Sequence, residues 1–351
     1  MTIFNPLLCF LLLSVDIYIT SNINNNVAIY CIIVLTYWLI RAINIHLRLA
    51  DFGKYQFNGI RTGKGLNILV TGGCNGLGYA LVRVLLFSGL KINKIVIVDI
   101  SDLPNVLKNE SVIKYYKCDM SDTKALKELF QVMVNELKHE EDDCFRIDFV
   151  FNNAGVRQDK GLLDLEDSEI DNIFRTNYFA PLALTKLVIG NHIKNQKRHE
   201  VKGDDVSVDR LHITTISSVL AFMGPKNLSI YASSKAALGT MIESLSHEVN
   251  VSHPEIIFNT IYPGQLSSKM FSDVEPTKEF LSPKIDVVLL ADRIIDMTFR
   301  LGIRGVFFCP FYARVLPAIR SLPNSISEGL RNFSQMDQQI KPVSLEAKKS
   351  Q

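Results

Sequence analysis

Two rhythms of apolar and polar positions run along this chain. Short apolar runs that end in small or polar residues predict buried strands at Asn67–Thr71, Lys94–Asp99, Ile113–Cys118, Ile147–Phe151, Leu211–Ile216 and Gly305–Cys309. Between them, apolar residues at a period near 3.6 predict helices at Tyr79–Phe87, Thr123–Leu137 and Ile285–Leu301. Polar stretches break the pattern. The acidic link Glu140–Asp143 and the insert Asn195–Arg210 read as solvated surface loops.

The first 49 residues follow neither rhythm. Ile3–Ile19 is apolar apart from Asn5, Ser14 and Asp16, and a second apolar run starts at Val27 and extends to Ile45 if Arg41 snorkels. A span needs about 20 apolar residues. Each run is shorter, so one span, two spans and a shallow hairpin in one monolayer all stay open as forms of a membrane anchor. A cleaved signal peptide is the competing reading, but no basic residue precedes Ile3 and the second run follows at once. Positive charge begins with Arg41, Arg48 and Lys54, a bias that puts the rest of the chain on the cytosolic side. The predicted layout is an anchor over 1–49, a linker over 50–65, a main folded domain over 66–310, an interfacial or lid segment over 311–338 and a polar tail over 339–351.

Composition removes some function classes. A formal charge of +2 gives no basic field for nucleic acid. The six cysteines lack metal-type or paired spacing, which points to a reducing compartment and no metal.

Chemistry enters at the ends of the predicted strands. The turn Thr71, Gly72, Cys74, Asn75, Gly76, Leu77 and Gly78 joins a strand to a helix, the context in which backbone amides approach a pyrophosphate. Asp99 ends the next strand about 20 residues on, where a carboxylate accepts both ribose hydroxyls. A 2'-phosphate would meet that charge with no basic neighbour at Cys74, Asn75 or Ile100, so NAD is favoured over NADP. Asp119 suits either an adenine contact or the N-cap of the next helix. Asn152, Asn153, Ala154 and Gly155 are small or amide residues that fit a cofactor crevice, and equally a plain turn.

One stretch carries the proton chemistry. Tyr231 and Lys235, four apart, share a helix face, and Ser218 lies thirteen positions earlier. A cation beside the phenol favours its ionised form and makes it a usable acid and base. Alone, the pair would pass for a surface contact.

Together these residues resemble the short-chain dehydrogenase/reductase family: Thr71-Gly72 with Gly76 and Gly78, Asp99, Asn152 to Gly155, Asn177, Ser218, Tyr231 with Lys235, and Pro263-Gly264. The resemblance implies a doubly wound parallel sheet (a Rossmann-type α/β fold). It further implies Tyr231 as acid/base, Lys235 on the nicotinamide ribose, Ser218 on the substrate oxygen, and Asn177 holding a relay water. Ser268 stands where the family usually has threonine and would bond the carboxamide. Read by itself, Asn177 is a polar residue in mid-helix. The hydrophobic N-terminus and the Ser268–Phe271 turn resemble the branch of retinol and 17-beta-hydroxysteroid dehydrogenases found on membranes and lipid droplets.

The expectation is therefore an NAD-linked oxidoreductase for an apolar, lipid-like alcohol or carbonyl, held at the endoplasmic reticulum or lipid droplet, with a homodimer as the expected assembly. Two competitors stand beside it: an NADPH-dependent ketone reductase of lipid biosynthesis, and a non-catalytic membrane scaffold.

Overall fold

The computed structural model describes residues 32, 34–36, 38–39, 65–138, 145–202, 210–274, 283–300, 302 and 304–339. They fall into two units. The first takes in 32–39 and 302, and its six described positions between 32 and 39 are all helical. The rest of the anchor reading lies outside the described residues. Among the described residues no helix is long and apolar enough to cross a membrane.

The second unit is built on a seven-stranded parallel sheet in the order β3-β2-β1-β4-β5-β6-β7. The strands are β1 (Leu66–Thr71), β2 (Ile92–Asp99), β3 (Ile113–Lys117), β4 (Phe149–Asn152), β5 (Leu211–Ile216), β6 (Ile256–Pro263) and β7 (Gly305–Cys309). All residues of β1, β4, β5 and β6 are buried, which is why their sequences are apolar on both faces. Alternation divides them between two cores. Ile68, Val70, Ile95 and Ile97 pack under α1 (Gly76–Phe87), while Leu69, Val96 and Val98 face α2 (Thr123–Glu136).

Three further helices cover those faces, and a short one leads into the first of them. α3 (Asp167–Phe174) runs through a π-helical turn, Arg175–Phe179, into α4 (Ala180–Lys202); α5 (Ser229–Asn250) follows β5, and α6 (Val287–Ile295) follows β6. Leu184, Val188, Leu238 and Ile242 of α4 and α5 join the second core, and Leu290 and Ile294 of α6 the first. Burying such a side chain contributes about 1.5–3 kcal/mol. That exceeds any helix propensity, so the helices stand on packing.

The insert expected as a loop from Asn195 is helical up to Lys202. Gln196, Lys197, Arg198 and Glu200 are good helix formers, so the polar run extends α4 where a loop was read. The predicted Ile285–Leu301 helix divides into α6 and a second π-helical turn, Asp296–Arg300. After β7 the chain folds into α7 (Leu316–Arg320), α8 (Asn324–Ser334) and α9 (Met336–Gln339), with Pro317 in the first turn of α7, where it costs no hydrogen bond.

Strand order reverses between β1 and β4, and the crevice outside their carboxyl ends is where this sheet type receives ligands. Gly72 and Asn153 stand at those two ends.

Candidate active site

A cavity of about 980 Å³ opens at the reversal point. Its floor is the turn between β1 and α1. Gly76 takes φ +53°, and a side chain added there would meet only Ser268, at 3.8 Å, so its backbone faces open space. Gly78 is required for a different reason: an added Cβ would lie 2.0 Å from the Gly72 carbonyl oxygen. The first turn of α1 therefore sits against the end of β1 with its amides towards the cavity.

Asp99 is buried at the end of β2 and lines the same cavity. Its Oδ2 accepts the Cys74 amide at 2.8 Å and its Oδ1 the Ser101 amide at 2.8 Å. The carboxylate thus ties the glycine turn to β2, and each oxygen keeps a lone pair for a ribose hydroxyl. Among the described residues the lysines that line the cavity are Lys235 and Lys269, and no arginine lines it. Asp119 lines it too, but its side chain accepts the Ser121 amide at 2.8 Å, and the N-cap of α2 is Asp122, which accepts from Lys124 and Ala125.

Thr71 and Asn153 join β1 to β4. The Thr71 hydroxyl accepts the amides of Asn153 and Ala154 at 3.0 and 3.1 Å, and Asn153 Nδ2 donates to the carbonyls of Thr71 and Gly72.

The proton-transfer residues meet on the opposite wall. Ser218 follows β5 and lines the cavity with Tyr231, and its hydroxyl accepts the Leu220 amide at 3.2 Å. Lys235 Nζ donates to the Ile216 carbonyl at 3.0 Å and lies 5.9 Å from the centre of the Tyr231 ring. Burial dominates both groups. It pushes Tyr231 up to about 12, against the Ser218 hydroxyl and the Arg157 charge that pull it down, and it pushes Lys235 down to about 8. The lysine was expected to make the phenol acidic. In the protein groups taken alone, desolvation outweighs the Ser218 and Arg157 contributions, and Tyr231 is a proton donor at neutral pH.

Two residues hold this wall from behind. Asn177 lies in the π-helical turn, fully buried, where its Oδ1 accepts the Val156 amide and its Nδ2 donates to the Val156 carbonyl, both at 2.8 Å. Nδ2 also reaches Ser234 Oγ at 3.0 Å. A π-helical turn leaves backbone groups out of register and is frequent where a side chain is re-aimed for function. Gln158 was not found from sequence. α5 has no cap of its own; instead Gln158 Oε1 accepts the Ile230 and Tyr231 amides at 2.7 and 3.1 Å. A cap supplied from 70 residues away leaves no local spacing signal.

Of the residues assigned from sequence, Gly72, Asn75, Gly76, Leu77, Asp99, Asp119, Asn153, Ala154 and Gly155 line the cavity, as do Ser218, Tyr231, Lys235, Pro263, Gly264 and Ser268. Thr71, Cys74, Gly78 and Asn177 are buried behind its wall. The far end is apolar: Leu220, Met223, Pro225 and Phe271 meet Leu316, Ile319, Leu330 and Met336 from the C-terminal segment. Residues 275–282, between Val274 and the start of α6, lie outside the described residues.

A parallel sheet with a glycine turn and acidic residue at one side of its switch point, and a buried serine, tyrosine and lysine at the other, defines a nicotinamide-dependent oxidoreductase. Comparison with known proteins agrees. The sequence profile of the short chain dehydrogenases matches residues 66–279. The uncharacterised oxidoreductase TDA5 of Saccharomyces cerevisiae is 31% identical over 287 residues, 81% of each chain. Dehydrogenase/reductase SDR family member 7B of Xenopus tropicalis is 28% identical over 215 residues, 58% of this chain and 62% of that one. The fold is shared with a 4-hydroxyisoleucine dehydrogenase complexed with NADH (TM-score 0.56, 20% identity, 70% of this chain and 96% of that one). It is shared equally with a short-chain dehydrogenase from Burkholderia cenocepacia in complex with NADP (TM-score 0.56, 19% identity, 77% and 97%). The chain belongs to the short-chain dehydrogenase/reductase family, whose members act on CH–OH and carbonyl groups with NAD or NADP.

Proposed function

We propose that this protein is an NAD-preferring oxidoreductase for apolar, lipid-like alcohols and ketones, working at a membrane or lipid-droplet surface. One observation carries the reading: a single cavity joins the Asp99 end, the Ser218–Tyr231–Lys235 wall and an apolar far end. Asp99 supports NAD, because a carboxylate with no cation beside it repels a 2'-phosphate.

The cofactor, when bound, supplies or takes the hydride. The protein groups do the rest. Ser218 orients the substrate oxygen, and Tyr231 gives its proton to a carbonyl or takes one from a hydroxyl. Lys235, fixed on the Ile216 carbonyl, places its charge on the cavity side of the phenol ring. The apolar far end holds the hydrocarbon part of the substrate and excludes water. The two apolar runs before residue 46 support membrane attachment, which would bring a lipid substrate to the enzyme at a raised local concentration.

Equilibrium titration with NADH and NADPH tests the cofactor reading. NADH is expected to bind more tightly, and Asp99→Ser should narrow the difference by about tenfold, the worth of one charge-assisted contact. Tighter binding of NADPH by the unaltered protein would overturn it in favour of a biosynthetic ketone reductase.

A further inference from the structure

The C-terminal helices are fastened to the loop that carries the reaction centre by one ion pair. Arg331 on α8 and Asp337 on α9 form a two-pronged bond, Nε to Oδ2 at 2.6 Å and Nη2 to Oδ1 at 2.7 Å. Each partner also grips the loop between Ser218 and Tyr231. Arg331 Nη2 donates to the Gly224 carbonyl at 3.0 Å, and Asp337 Oδ1 accepts the Lys226 amide at 2.7 Å.

The backbone is unusual on both sides of this contact. Asn227 and Gln335 are the non-glycine residues with left-handed backbone among the described ones, at φ +64° and +53°. Asn227 follows the gripped loop, and Gln335 makes the reversal that returns Asp337 to Arg331. Glutamine rarely takes that conformation, so a surrounding structure must hold it.

The pieces joined are two walls of one cavity. Met223 and Pro225 line it from the loop, and Leu330, Ser334 and Met336 from the C-terminal helices, whereas neither Arg331 nor Asp337 lines it.

We propose that Arg331 and Asp337 are positioning residues that latch the C-terminal wall to the Gly224–Lys226 loop, so that the fit of a long apolar substrate depends on an ion pair lying outside the cavity. The inference rests on the apolar-substrate reading above. A short substrate, held by Ser218 and Tyr231 alone, gains nothing from the latch. A long one reaches Leu330 and Met336 and loses affinity when that wall is free to move, because ordering it must then be supplied by binding.

The test uses the full chain loaded with NADH and two probe ketones, acetone and methyl nonyl ketone. Binding of both is read by the change each makes in the fluorescence of bound NADH, and that of the long ketone also by displacement of Nile red, an uncharged apolar dye; neither readout requires turnover. Arg331→Gln should weaken methyl nonyl ketone about tenfold, the loss of a two-pronged charged bond, and change acetone by less than about twofold. Asp337→Asn, which keeps the shape and an acceptor for Lys226, should weaken the long ketone by a smaller factor. Where either ketone is reduced, the change should appear in KM with kcat for acetone unaltered. Equal weakening of both ketones would mean a general loss of structure and would overturn the latch; so would no weakening of either. Unaltered NADH binding by each variant checks that it folds. Absence of turnover by the unaltered protein with every alcohol and ketone would count against the oxidoreductase reading, while the binding series would still decide the latch.

Discussion

Lys235 is held in place at a cost to stability, and removing its charge should raise the melting temperature while abolishing turnover. Its ammonium is buried, and desolvation lowers its pKa from 10.5 to about 8. A difference of that size corresponds to about 3 kcal/mol of penalty on the charged form. Lys235→Met fills similar space and removes the penalty, but it leaves the Ile216 carbonyl without its 3.0 Å donor, a loss of about 1 kcal/mol. The net gain is about 2 kcal/mol at neutral pH, or about 5 °C for a domain of this size.

The sign with pH follows from proton counts. Below pH 8 the lysine is charged in both states and the folded protein bears the full penalty. Between 8 and 10.5 the unfolded chain binds more protons than the folded one, so the unaltered protein gains stability as pH rises. Above 10.5 the penalty is gone and the variant should melt no higher than its parent. Thermal unfolding followed by circular dichroism, without added cofactor, at neutral pH and again near pH 10.5, measures both ends. A variant that melts lower at neutral pH, or gains equally at both, would refute the reasoning.

Gln158→Leu removes the cap of α5 and should cost about 1 kcal/mol, with a fall in kcat larger than the rise in KM, because Tyr231 sits in the first turn that the cap holds; Gln158→Glu, still an acceptor at a helix N-terminus, should restore most of it. In Gly264→Ala the new Cβ would lie 2.1 Å from the Tyr312 hydroxyl, so a loss of about 1–3 kcal/mol is expected in thermal melting, relieved in part by adding Tyr312→Phe.

Much of the site could be read before the fold because its residues are local. The glycine turn, Asp99 and the Tyr231–Lys235 pair each announce themselves within a few positions, since a strand end or one helix face sets their spacing. Six of the seven strands followed from apolar runs; β6 (Ile256–Pro263), although fully buried, was not read, because Asn259, Thr260 and Tyr262 interrupt its apolar pattern. What escaped was set by contacts between distant segments. Gln158 acts on a helix 70 residues later, and Arg331 acts on Gly224, more than 100 residues earlier. Asn177 looked like a polar residue in mid-helix because periodicity does not distinguish an α-helical from a π-helical turn. The balance at Tyr231 was also out of reach. Spacing places Lys235 beside the phenol, but only the depth of burial shows that desolvation wins.

The most direct measurement of the account is turnover by Tyr231→Phe, followed as NADH formed from a long-chain alcohol, beside a titration of NADH binding. Loss of the phenol proton should lower kcat by about 100-fold or more, the range for a positioned acid or base, with NADH bound as tightly as before. A Tyr231→Phe protein that binds NADH and turns over the alcohol at the unaltered rate would contradict it.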